Sequence, residues 1–220
     1  MAVITQTQKP GGSGGDVIEK LVKTTSTNFI RSGNSDKLMP NQLEVARGAI
    51  KAIMDVCNSS GVTDKGQQAY ILATARHESV MGNRMKEGIA KEKAEVNYMD
   101  PKKGLGNATK EEAWLYIGRG FSQITGKANY DKWSKRLNID LVKDPDKAMD
   151  PHIAAQILVI SMRDGLFVPK AGRLETYIKG ETRDFFNARK TVNPLEIINK
   201  PDIVKVMVHY AETYYQTLIS

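Results

Sequence analysis

The sequence predicts a mainly α fold. Apolar residues recur at helical spacing in several long runs, and those runs end at Gly-containing breaks. Aromatic residues make up only 7% of the chain, so the composition does not point to a β-rich protein. With 220 residues there is chain enough for one well-cored domain, or one domain and a short appendage. The expected organisation is a flexible tail over 1–15, a short helix and linker over 16–36, and one domain over 37–220.

The tail ends in Lys9-Pro10-Gly11-Gly12-Ser13-Gly14-Gly15, a linker by composition. Asp16 to Lys23 reads as a short helix with Asp16 as its N-cap. Pro40 to Asn58 is a helix, with Leu43, Ala46, Ile50, Ile53 and Met54 at helical spacing and Ser59-Ser60-Gly61 as its stop. Asp64 caps the next helix, which runs to Ser79 and breaks at Met81-Gly82-Asn83. Residues 84–109 are charged and lack clear periodicity. Lys110 to Tyr116 and Asn129 to Leu137 read as helices, with an extended, Gly-punctuated segment from Gly118 to Thr125 between them. Pro151 to Arg163 is the most apolar helix, and Glu181 to Lys190 and Pro201 to Ile219 complete the set.

The net charge of +7 draws the protein toward polyanions, whether nucleic acid, anionic membrane or anionic wall polymer. The basic residues are scattered rather than clustered, which argues against nucleic acid. Cys57, the single cysteine, forms no intrachain disulfide and reads as a small core residue. Met1 to Lys9 lacks the apolar stretch of a secretory leader, and no apolar run approaches the ~20 residues of a membrane span. The expectation is a protein made and folded in a cytoplasm. Three scattered histidines and one cysteine make a metal site improbable; Met81 stands where a zinc-protease motif begun at His77-Glu78 needs its second histidine. No cofactor is expected.

Arg76-His77-Glu78-Ser79 closes an otherwise apolar helix. A carboxylate there is disfavoured by the helix dipole and by burial, and both effects suit a general acid. From these four residues alone, a surface glutamate paired with Arg76 or Lys86 is the stronger interpretation. Glu87 follows nine residues later. A continuous helix, at ~100° per residue, would place it opposite Glu78. The break at Gly82-Asn83 lets the chain turn and present it across a cleft, although Glu92, Glu95 and Asp100 compete for the same role. Two carboxyls flanking a glycosidic bond are the usual equipment of sugar hydrolysis. In the segment Tyr116 to Tyr130, Gly118 and Gly120 allow close backbone approach, and Gln123 and Thr125 share one face if the chain is extended. By itself that is only a polar strand edge.

Together, His77-Glu78-Ser79 and Tyr116-x-Gly-Arg-Gly-x-x-Gln-Ile-Thr-x-x-x-Asn-Tyr130 resemble glycoside hydrolase family 19, which comprises chitinases and many phage endolysins. The resemblance covers roughly residues 40–200 and is strong around these two motifs. It implies a lysozyme-like, two-lobed helical domain with a small β element beside an active-site cleft. It implies Glu78 as general acid and Thr125 as a holder of the nucleophilic water, with Gln123, Asn129 and Tyr116 contacting substrate and Arg119 bracing the site. Arg189 and Asn193, in Arg189-Lys190-Thr191-Val192-Asn193, are similar to an Arg-x-x-x-Asn segment that lines the cleft. The short step from Glu78 to Glu87 is similar to the phage endolysin branch. It makes Glu87 the best general base and tilts the substrate from chitin to peptidoglycan glycan strands. The implied enzyme is a monomer released from the host cytoplasm with a holin's help, and its charge would meet an anionic outer-membrane surface. A chitinase, a lytic transglycosylase and a basic helical nucleic-acid-binding protein stand as alternatives.

Overall fold

Helices occupy most of the computed structural model, which describes residues 13–26, 30–31, 34–35 and 37–220. The ten α-helices among these residues are α1 (Ser13–Thr25), α2 (Pro40–Ser59), α3 (Lys65–Ser79), α4 (Lys91–Asn97), α5 (Lys110–Leu115), α6 (Lys127–Leu137), α7 (Pro151–Asp164), α8 (Phe185–Ala188), α9 (Pro194–Asn199) and α10 (Pro201–Ile219). Two antiparallel hairpins accompany them, β1 (Ile30–Arg31) with β2 (Asn34–Ser35), and β3 (Ile178–Lys179) with β4 (Thr182–Arg183).

Two buried clusters give the molecule its two lobes. The larger gathers Leu21, Ile50, Ile53, Ile71, Leu72, Leu158, Met207 and Tyr214 from α1, α2, α3, α7 and α10. The smaller gathers Tyr116, Ile124, Tyr130, Trp133, Leu141 and Ile157 around α6. Helix α7 serves both: Ala154, Leu158 and Met162 face the larger cluster, while Ile157 faces the smaller. A helix used on two sides must be apolar nearly all round, which explains why α7 is among the most apolar of the chain. Helix α3 is buried around most of its circumference and packs chiefly against α10. Asp64 caps α3 by accepting from the Gln67 amide at 3.1 Å. Burial pushes the Cys57 thiol up to about 12, so it sits in the core as an inert neutral group.

Three expectations change. Helix α1 begins at Ser13, inside the expected tail, and its Leu21 and Val22 are buried in the larger cluster, so packing does not divide the chain at residue 36. The rest of the expected tail, residues 1–12, lies outside the described residues. The segment read as one helix over Glu181 to Lys190 is instead the end of the β3–β4 hairpin followed by the single turn of α8. Residues 118–125 are not a strand. They form a tight reversal in which Arg119 bridges to Lys86 on one side and to Ile124 on the other, with Gln123 in the left-handed region at φ 53.

Candidate active site

Helix α3 delivers Glu78 at its last turn. The helix stops at Val80 rather than at Gly82, because Val80 and Met81 both take left-handed dihedrals, φ 53 and 51. Such a backbone costs about 1–3 kcal/mol per residue and persists only where surrounding packing over-determines it. Met81, fully buried in the larger cluster, supplies that packing.

The Glu78 side chain is 21% exposed and accepts a 2.6 Å hydrogen bond from Nη2 of Arg189. Arg189 is itself fully buried, and its Nε donates to Oε2 of Glu196 at 2.8 Å. Nη2 lies 2.7 Å from the same oxygen, so one guanidinium bridges two carboxylates. His77 Nε2 stands 3.7 Å from Glu196. The nearby His77 imidazole, joined by the Arg189 guanidinium, lowers the Glu196 carboxyl to about 2 against the opposing effect of burial. A carboxyl depressed in the folded state contributes stability that is fully present above its unfolded value of about 4.3 and is lost as pH falls toward 2. Glu196→Gln is therefore expected to flatten the fall in melting temperature between about pH 4.5 and 2, by roughly 2 kcal/mol of stability after allowance for partial exposure. Parallel acid melts of the two proteins check this; identical slopes would remove Glu196 from the acid response.

The loop after Glu78 folds back so that Met85 accepts from the Gly120 amide at 2.8 Å and the Glu87 amide donates to the Gly118 carbonyl at 2.9 Å. Both carboxylate oxygens of Glu87 are held. Oε1 accepts from the Tyr98 hydroxyl at 2.6 Å, and Oε2 accepts from the Gly118 amide at 3.1 Å. Burial, and then the adjoining Glu87 carboxylate, push the Tyr98 phenol well above its usual range, so it stays a donor. A Cβ on Gly118 would fall 2.9 Å from Oε1 of Gln123 and 3.3 Å from Oε2 of Glu87; glycine here lets the two side chains converge.

Gln123, Thr125 and Asn129 share one open pocket of about 240 Å³, with Trp133, Leu105 and Val192 among its walls. They are joined by short links: the Thr125 hydroxyl donates to the Gln123 carbonyl at 3.1 Å, and the Asn129 amide donates to the Thr125 carbonyl at 2.7 Å. The 189–193 segment ties the two sides together, since Arg189 grips Glu78 while Val192 lines the Thr125 pocket. Arg119, also buried, holds the turn from beneath through the Leu115 and Ile117 carbonyls, the Tyr130 hydroxyl and Asp146.

Two residues expected to touch substrate do not face the cleft. Tyr116 is 4% exposed, its hydroxyl donates to the Val142 carbonyl at 3.1 Å, and its ring packs on Tyr130. Arg189 is only 1% exposed, and Glu78 and Glu196 occupy its Nε and Nη2. Asn193 is half-buried at the start of α9, where its amide donates to the Arg189 carbonyl at 2.9 Å. The competing acids are engaged elsewhere or exposed: Glu95 lies 3.8 Å from Lys91, Asp100 caps the turn at Pro101–Lys103, and Glu92 faces solvent in the first turn of α4. Tyr98 and Glu196 were not foreseen. Tyr98 lies in the charged stretch without periodicity, and the only local mark of Glu196 is its place just after Asn193-Pro194.

No family model matches the chain. A Haemophilus influenzae protein described as glycosyl hydrolase family 19 domain-containing is 28% identical over 141 residues, covering 52% of this chain and 69% of that protein. Among solved structures, chitinase C from Streptomyces griseus HUT6037 superposes with a TM-score of 0.57 at 18% identity, over 96% of this chain and 80% of its own. A bacterial family 19 chitinase gives 0.50 at 19% identity, over 80% and 85%. The relative carries a glycosyl hydrolase family 19 name, and the chain shares the fold of family 19 chitinases. The resemblance to family 19 is borne out, and the architecture is the lysozyme-like helical one.

Proposed function

We propose that this glycoside hydrolase is an endolysin that cleaves β-1,4 bonds of bacterial peptidoglycan with inversion at the anomeric carbon. The observation that carries the proposal is the pair of held carboxylates, Glu78 on Arg189 and Glu87 on Tyr98 and Gly118, at the two ends of one folded-back loop. Arg189 fixes one oxygen of Glu78, and the other is left to carry the proton that goes to the leaving glycosidic oxygen. Glu87 accepts a proton from the attacking water, and the Thr125 hydroxyl, which donates to Gln123, keeps its lone pairs for that water. Gln123 and Asn129 contact the glycan from the same pocket, and Asn193 follows Val192, which lines it. Inversion needs room for the water, with carboxyls roughly 6.5–9.5 Å apart. The enzyme acts as a monomer, reaches the wall once a holin opens the membrane, and uses its +7 charge on the anionic outer surface.

Chitinase activity is the second reading, favoured by the names of the proteins that share the fold. Digestion of purified sacculi and of chitin oligomers, with reducing-end labelling and mass spectrometry, separates the two. New reducing ends on wall glycan support the endolysin, anhydro ends would mean a transglycosylase, and release from chitin alone would overturn the proposal.

Two variants test the base. Tyr98→Phe removes one charge-assisted hydrogen bond and is expected to lower kcat about tenfold with KM little changed. An unchanged kcat would remove Tyr98 from the site. Gly118→Ala displaces flexible side-chain ends rather than backbone, so stability should change by less than about 1 kcal/mol. Activity should still fall roughly 10- to 100-fold as Glu87 and Gln123 are pushed apart. Melting curves and wall-turbidity rates on one preparation check both halves of that statement.

A further inference from the structure

We propose that a second pocket, on the far side of the ribbon that holds Glu87, binds the zwitterionic amino-acid end of a wall peptide stem. Such stems hang from peptidoglycan glycan and are absent from chitin. The inference rests on the peptidoglycan reading above and extends it to the peptide.

The pocket has a volume of about 220 Å³ and is lined by Lys86, Trp114, Ile117, Arg119, Asp144 and Asp146. That is room for a single end group. The pocket carries two cations and two carboxylates, and both cations lie against Asp146. Arg119 is 4% exposed and gives its Nε to Asp146 at 2.7 Å, and those two form a closed pair. Lys86 stands 3.5 Å from the same Asp146 oxygen with its side chain 45% exposed, which leaves donors free. Asp144 is exposed, and its side chain makes no capping bond in the turn it begins. Trp114 is half-buried on α5. What the pocket offers is one cation, one carboxylate and one indole face.

A neutral sugar would leave both charges unused. An ammonium, by contrast, is held between an indole face and a carboxylate, and a carboxylate pairs with Lys86. A group bearing both on one carbon is the free end of an amino acid, as in an un-cross-linked diamino acid of a wall peptide. The connection to the site is through the backbone. Lys86 precedes Glu87, Arg119 follows Gly118, and Lys86 and Arg119 are bridged. Successive side chains on an extended segment leave by opposite faces. A glycan lying along the Glu87 face therefore sends a substituent past the Lys86 edge into this pocket.

The test uses the full chain. A soluble disaccharide-peptide with a free diamino-acid end is titrated against ¹⁵N-labelled protein, with the amine-acetylated fragment as control. The Trp114 indole resonance should shift with the free fragment, and both acetylation and Asp144→Asn should weaken binding about fivefold. In turnover, Asp144→Asn should raise KM about fivefold on stem-bearing glycan, leave kcat unchanged, and have no effect on glycan stripped of stems by an amidase. Equal binding of free and acetylated fragments, or equal KM changes on both glycans, would overturn the inference. Cleavage of chitin but not of sacculi would instead sink the peptidoglycan reading, and the titration would still decide the pocket.

Discussion

Glu78→Gln is expected to reduce glycan cleavage by about three orders of magnitude while leaving the fold intact. The two halves of this result have separate causes. The loss follows from the amide's inability to give up a proton to the leaving oxygen. The tolerance follows from the neighbours of Glu78. Arg189 donates to its Oε1 at 2.6 Å, and a glutamine carbonyl placed there still accepts. The guanidinium also keeps its charged partner, because Glu196 accepts from Nε at 2.8 Å and lies 2.7 Å from Nη2. Stability should therefore change by no more than about 1 kcal/mol. Residual activity within tenfold of the wild type, at an unchanged melting temperature, would show that the proton comes from elsewhere.

How far the sequence foretold this depends on whether the signal was local. Helices α2 and α7 were legible because apolar spacing, a proline at the start and a clear stop all agreed, and α10 because apolar spacing and Pro201 agreed. Helix α4 was not, because only Ala94 of its residues is buried and the helix is held by docking on α5 rather than by its own pattern. The reversal at 118–125 passed for a strand because polar residues flank Ile124, and nothing local announces the left-handed Gln123. Motif resemblance marked Tyr116 and Arg189 as near the site but could not say on which side of the backbone they stand; both turn inward. Tyr98 and Glu196 arrive from separate helical segments, and only tertiary packing reveals them.

The largest stability effect is expected at Arg189. It is among the largest fully buried side chains, and its charge balances two carboxylates contributed by α3 and α9. Arg189→Leu leaves Glu78 and Glu196 facing each other without their cation. Breaking a buried pair by removing one partner costs about 3–5 kcal/mol, chiefly because the remaining charge is uncompensated. For a chain of this size that corresponds to a fall of roughly 10 °C in melting temperature. Activity should vanish as well, since Glu78 loses the group that orients it. Neutralising the stranded acids separates charge from packing. If the cost is electrostatic, Arg189→Leu combined with Glu78→Gln and Glu196→Gln should recover most of the lost stability and none of the activity. A triple variant as unstable as the single one would mean that Arg189 acts through the volume it fills, and that the carboxylates are bystanders to its burial.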